Sequence, residues 1–226
     1  MGKIFNKTIG NRTLFKVLYM AAVMTIAVPY LHEKTGPYIK LFLVWGAVLV
    51  FMELVRTKGK MLWDKSVLLL LLFCFFYGVT ILVTRNREMG QSINGLIYMG
   101  MTFLLVFCPQ QGLGREAFLK DVKAVVCTVI GGTFLFSAAC IVTYILQINI
   151  KYTAEGTVAY IGMYDHRLWG LYNPNVGATL AVVSLVLTAF AIVEIQKRWF
   201  RIFAACNLAI QFVMIILAAS RTVTYG

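Results

Sequence analysis

Ser66-Val67-Leu68-Leu69-Leu70-Leu71-Leu72-Phe73-Cys74-Phe75-Phe76-Tyr77-Gly78-Val79-Thr80-Ile81-Leu82-Val83 runs for eighteen residues without a charge, with Lys65 just before it and Arg85 just after. As a helix it is about 27 Å long at ~1.5 Å per residue, close to the ~30 Å of hydrocarbon in a bilayer. Lipid offers no partner to a backbone amide, so a run embedded in it must close its own hydrogen bonds, as a helix does. The run also lacks the ~10-residue apolar–polar alternation of a membrane barrel strand. Six further blocks read the same way, at about 14–31, 38–55, 91–108, 122–148, 174–195 and 200–219.

Composition agrees with the blocks. Of the 226 residues 60% are hydrophobic and only 13% charged, and the mean hydropathy is +0.80. A soluble domain carries roughly a quarter charged residues. The expected fold is all-α, a polytopic transmembrane helical bundle of about seven spans, forming one domain over residues 1–226. The first block is not a cleavable leader, because it is long, ends in Val28-Pro29-Tyr30 and lacks a small-residue cleavage site. The five cysteines (Cys74, Cys108, Cys127, Cys140, Cys206) lie in or beside apolar blocks with neither metal-ligand spacing nor an outer-loop position, and read as small core residues.

The net charge of +12 does not mark a nucleic-acid binder, since the basic residues fall in short clusters between blocks. Those clusters orient the chain. With the N-terminus inside, the inner segments hold Lys3, Lys7, Arg12 and Lys16; Arg56, Lys58, Lys60 and Lys65; Arg115, Lys120 and Lys123; and Lys197, Arg198 and Arg201. The outer side holds only Lys34, Lys40, Arg85, Arg87, Lys151, Arg167 and Arg221. Every inner segment exceeds every outer one, so the N-terminus is expected inside and the C-terminus outside. Residues 149–173 then form an extracytoplasmic loop, the longest connection in the chain.

That outer side carries the unusual chemistry. Arg85 and Arg87 follow the third span, Arg167 precedes the sixth, and Arg221 follows the seventh in Ser220-Arg221. An arginine grips phosphate oxygens with a planar fork and keeps its charge where water is scarce. Snorkelling to lipid headgroups is the alternative, and it is the preferred reading of Arg85 and Arg87. Asn173-Pro174-Asn175 has the residues of a helix start, an Asn cap followed by Pro at the first helical position. Its amides and positive dipole end would face an anion held by Arg167, and Gly170 and Gly177 admit a close approach of backbone or ligand. Aquaporins need two Asn-Pro-Ala half-helices, which are absent.

His32, in His32-Glu33-Lys34, reads as a loop residue, and so does His166, although His166 stands beside Arg167 where a base can act. Asn207 and Gln211, four apart in the seventh span, are expected to hydrogen-bond a neighbouring helix. No ionisable residue falls near the middle of a span, which argues against an ion-coupled transporter.

Arg167-Leu168-Trp169-Gly170-Leu171-Tyr172-Asn173-Pro174-Asn175-Val176-Gly177, then two spans and Ser220-Arg221, resembles the O-antigen ligase and O-antigen polymerase family of bacterial membrane glycosyltransferases. Members show an Arg and a Gly ahead of an Asn-Pro-Asn that opens a helix, with a Ser-Arg pair two spans later. The resemblance covers residues 160–226, and spans one to five agree only in being apolar. It implies transfer or polymerisation of a glycan from an undecaprenyl-diphosphate donor to a glycan or lipid acceptor, on the outer face of the bacterial cytoplasmic (inner) membrane. The product would be a surface polysaccharide such as O-antigen or capsule.

The resemblance further implies that no metal or other cofactor is needed, because Arg167 and Arg221 would hold the donor diphosphate and neutralise it as it leaves. Asn173, Asn175, Gly170 and Ser220 would shape the site, with Arg85, Arg87 and His166 as additional outer-face residues and the catalytic residue unassigned. Relatives have ten or more spans and an outer-loop histidine further along. A chain ending at Gly226 is therefore expected to be either a fragment of a longer protein or a C-terminally truncated form, and if it is all there is, to bind the lipid carrier weakly without turnover. A transporter or flippase for lipid-linked sugars and a non-catalytic assembly subunit are the competing readings. The first needs a second structural half with a polar cavity; the second predicts that reversing the charge of Arg167 changes little.

Overall fold

The computed structural model describes residues 11–84, 89–104, 115–154, 157–164, 167–171 and 173–218. Seven α-helices occur among them: α1 (Arg12–Ile26), α2 (Pro29–Arg56), α3 (Lys65–Thr84), α4 (Met89–Thr102), α5 (Arg115–Ile145), α6 (Pro174–Glu194) and α7 (Arg198–Ala218). A 3-10 turn, Lys60–Trp63, joins α2 to α3. Five stretches are long and apolar enough to cross a membrane: Lys34–Arg56, Lys65–Val83, Arg115–Ile145, Pro174–Glu194 and Arg198–Ala218. Two expected spans differ: 14–31 corresponds to a helix of only 15 residues, about 22 Å at ~1.5 Å per residue and short of the hydrocarbon thickness, and of 91–108 only residues 91–104 are described, the rest lying outside the described residues.

The first of these differences has a local cause. Pro29 has no N–H and a fixed φ, so it starts a helix rather than ending one, and α1 stops at Ile26 with α2 beginning two residues beyond the break. His32, expected in a loop, therefore lies within α2.

Side chains are distributed inside-out. Large apolar groups such as Phe75, Leu82, Phe190, Val193 and Phe212 stand exposed along the helices, whereas Ser184, Thr188, Asn207 and Gln211 are fully buried. In water such an apolar surface would drive aggregation; in lipid it costs nothing, and the polar groups must find partners inside.

The contacts divide the chain into two compact units, Met1–Lys16 with Tyr38–Asp121, and Val17–Pro37 with Val122–Gly226. In the first, charges gather at one end. Glu53 accepts from Arg12 at 2.6 Å and from Arg56 at 2.7 Å, and Asp121 pairs with Lys16 at 2.7 Å while accepting from the Thr13 hydroxyl. The start of α1, the end of α2 and the second turn of α5 thus share one end of this unit. Lys16 and Asp121 are almost completely buried, so each neutralises a charge the other could not leave unpaired. Asp64 opens α3 by accepting from the Ser66 amide at 2.9 Å.

In the second unit α5, α6 and α7 pack together through three layers. Ile130, Ala191, Phe200 and Ala204 make an apolar layer at one end, and Val28, Cys140, Leu168, Ala181 and Met214 make another. Between them runs a polar layer. The Asn207 amide donates to Ser184 Oγ (3.1 Å) and Thr188 Oγ1 (2.8 Å), Gln211 donates to Asn207 Oδ1 (2.9 Å), and Ser137 donates to Gln211 Oε1 (2.9 Å). Asn207 and Gln211 thus do hydrogen-bond neighbouring helices, as their spacing predicts. Of the cysteines, only Cys140 is a fully buried core residue; Cys127 and Cys206 are exposed on outward faces, Cys74 is partly buried, and Cys108 lies outside the described residues.

The connection 149–173 is not an irregular loop. Its described residues form a three-stranded antiparallel sheet, β1 (Asn149–Ala154), β2 (Thr157–Tyr164) and β3 (Arg167–Gly170), in the order β1-β2-β3. Among the described residues this sheet is the one departure from helix. The alternation that defines it is short, and Ile150, Tyr152, Val158, Tyr160 and Ile161 are β-branched or aromatic residues suited to a pleated surface.

Candidate functional site

The strand β3 builds the site by simple alternation. Leu168 and Gly170 point one way and are buried, while Arg167 and Trp169 point the other way and are partly exposed. Leu168 inserts into the apolar layer with Val28, Cys140, Ala181 and Met214, fixing the strand over the ends of α5, α6 and α7. Gly170 has φ +54, a left-handed conformation that disfavours side chains. A Cβ there would lie 2.3 Å from Cys140 Sγ. Its role is close backbone approach to α5, reinforced by the Leu171 amide donating to Cys140 Sγ at 3.2 Å.

With β3 seated, Tyr164, Arg167, Trp169, Asn173, Pro174 and Asn175 line a cleft of about 140 Å³. Tyr164 pairs with Arg167 in the β2–β3 register, so the two side chains stand together on one face. Asn173 caps α6, its carboxamide oxygen accepting from the Asn175 amide at 3.0 Å. Pro174 supplies no N–H and the cap takes that of Asn175, so the first-turn donor left is that of Val176. The positive end of the α6 dipole thus stands at the cleft, which Asn173, Pro174 and Asn175 line. Among the described residues no carboxylate pairs with Arg167.

Three aromatic rings wall the cleft and its rim. Tyr160 and Tyr164 stack with centroids 3.7 Å apart and planes 11° apart. Trp169 meets both edge-on, at 5.1 Å and 6.1 Å. A register shift between Gly162 and Met163 interrupts the ladder beside them, and Gly162 at φ +95 is required there, because a Cβ would fall 1.5 Å from the Ile148 carbonyl oxygen.

Of the residues the sequence singles out, Arg167, Asn173 and Asn175 come together in the cleft, and Gly170 underlies it. Arg85, Arg87, His166, Ser220 and Arg221 lie outside the described residues. Tyr164 and Trp169 are additions. Their signal is the period-two placement of Arg167 and Trp169, and it has meaning only once 167–170 is a strand.

Fold and cleft together define a multi-pass helical membrane protein with a cationic, amide- and aromatic-lined pocket at the start of a membrane-length helix. Compared with known proteins, the chain matches no family model, and neither a curated protein nor a solved structure matches it.

Proposed function

We propose that the chain acts in glycan transfer from a polyprenyl-diphosphate donor, as a bacterial membrane glycosyltransferase of the O-antigen ligase/polymerase type. The observation that carries this reading is the cleft itself, where Arg167 stands with Asn173, Pro174 and Asn175 at the positive end of α6. A diphosphate leaving group develops negative charge as the C1–O bond breaks. A fixed guanidinium and a helix dipole aimed at that charge stabilise it without reorganisation. The Asn173 carboxamide offers an N–H to the remaining oxygens. The resemblance assigns Arg221 as a second cation on the same diphosphate, and it lies outside the described residues.

Seven crossings with an inner N-terminus fit the charge cluster of the first unit. The start of α1, the end of α2 and the second turn of α5 share one end, so the chain must return between Thr84 and Arg115. The apolar block 91–108, taken as a crossing, supplies that return and puts every Lys/Arg-rich connection on one side. The cleft then opens on the opposite, outer side, where a lipid-linked donor is presented.

The test is binding of a short prenyl diphosphate to the purified chain in zwitterionic nanodiscs. Arg167→Gln is expected to weaken binding by about ten-fold, the size of one charge-assisted contact, and Arg167→Lys to recover only part of it. Affinity unchanged by Arg167→Gln sinks this assignment.

A further inference from the structure

The diphosphate reading uses Arg167 and the start of α6 and leaves unexplained an apolar groove that continues from the cleft along the same helix. We infer that this groove, lined by Val176, Thr179 and Leu180, seats the first isoprene units of the donor's prenyl tail, so that the lipid carrier enters sideways from the bilayer along α6. This inference rests on the diphosphate reading and deepens it by assigning the tail subsite.

The argument is one of continuity and direction. Asn175 lines both the cleft and a groove of about 270 Å³, whose other described lining residues are Val176, Thr179 and Leu180. At spacings of three and four these three share one face of α6. They lie roughly 3 to 9 Å beyond Pro174 at ~1.5 Å per residue, and α6 runs on from there as a membrane-length helix. The Thr179 hydroxyl donates to the Asn175 carbonyl at 2.8 Å, so it asks for no polar partner in the groove. A prenyl diphosphate changes from anion to hydrocarbon at a single C–O bond. The lining changes from Arg167 and the asparagines to apolar side chains in the same order, along a helix that enters the membrane. A groove that only packs against bulk lipid or another helix requires no such junction with a cationic cleft.

The test compares methyl diphosphate with geranyl diphosphate on the full chain in zwitterionic nanodiscs, with partition into empty nanodiscs subtracted. Geranyl diphosphate is expected to bind about ten-fold tighter, the effect of burying roughly two methylene groups. Val176→Trp, which fills the groove, should abolish that gain and leave methyl diphosphate affinity intact, whereas Thr179→Val, which keeps the shape, should retain it. Geranyl diphosphate carrying a diazirine on its first isoprene unit should crosslink the native chain within residues 176–180, a readout that decides the matter even if the tryptophan variant fails to fold. Equal affinity of the native chain for both probes, a gain that survives Val176→Trp, or crosslinks spread over other helices overturns the inference and leaves the diphosphate reading standing. Failure of both probes to bind the native chain overturns the two together.

Discussion

Gly170 shows how one residue can serve the site without touching a ligand. A Cβ at this position would lie 2.3 Å from Cys140 Sγ and 2.5 Å from Cys140 Cβ, and φ +54 adds strain for any side chain. Both effects oppose alanine, so Gly170→Ala is expected to destabilise the protein by about 2–4 kcal/mol, read as a lowered Tm in detergent. Pairing it with Cys140→Gly removes the clash and leaves the φ strain, so the double variant should recover part of the loss. A Tm unchanged by Gly170→Ala would contradict the packing role. The sequence marks Gly170 as a place of close approach, and the fold decides what approaches. Arg167 was legible as a lone outer-side cation beside a helix start, whereas its neighbour Tyr164 was not, because nothing in the order of residues reveals a cross-strand partner.

At the scale of elements, α6 was the most legible. Asn173-Pro174 announces its first turn, and its buried residues Gly177, Ala181, Ser184, Thr188 and Ala191 repeat every three or four positions as a seam of small side chains. The cap invites a test that separates its two roles. Asn173→Ala should cost about 1 kcal/mol of stability, while Asn173→Ser restores the cap through its hydroxyl. If the carboxamide also meets the ligand, prenyl diphosphate binding stays weakened in the serine variant although its Tm recovers. Equal binding in Asn173→Ser and the native chain would confine Asn173 to capping. The sheet was illegible for a physical reason: its strands are only six, eight and four residues long, and pairing rather than local propensity stabilises them.

For the whole molecule, the issue is how many times the chain crosses. If only the five long apolar helices crossed, Lys58 and Lys120 would fall on opposite sides of the membrane. The ion pairs of Arg12 and Lys16 with Glu53 and Asp121 instead draw those segments to one end. With the native cysteines replaced, single cysteines at Lys58 and Lys197 are therefore expected to react with an impermeant thiol reagent from one side, and one at Lys151 from the other. Labelling of the Lys58 and Lys151 positions from the same side, as five crossings would give, would overturn the seven-crossing topology.

By itself the sequence determined the solvent of this protein, the position of its long apolar helices and the start of α6, because burial in lipid, helix length and capping are written in local composition. Only the tertiary structure decided that β1, β2 and β3 pair as a sheet, that Gly170 lets β3 rest on Cys140, and that Tyr164 and Trp169 join Arg167, Asn173 and Asn175 around one cleft. Strand pairing and cleft formation depend on contacts between residues distant in the chain, and no local pattern specifies those.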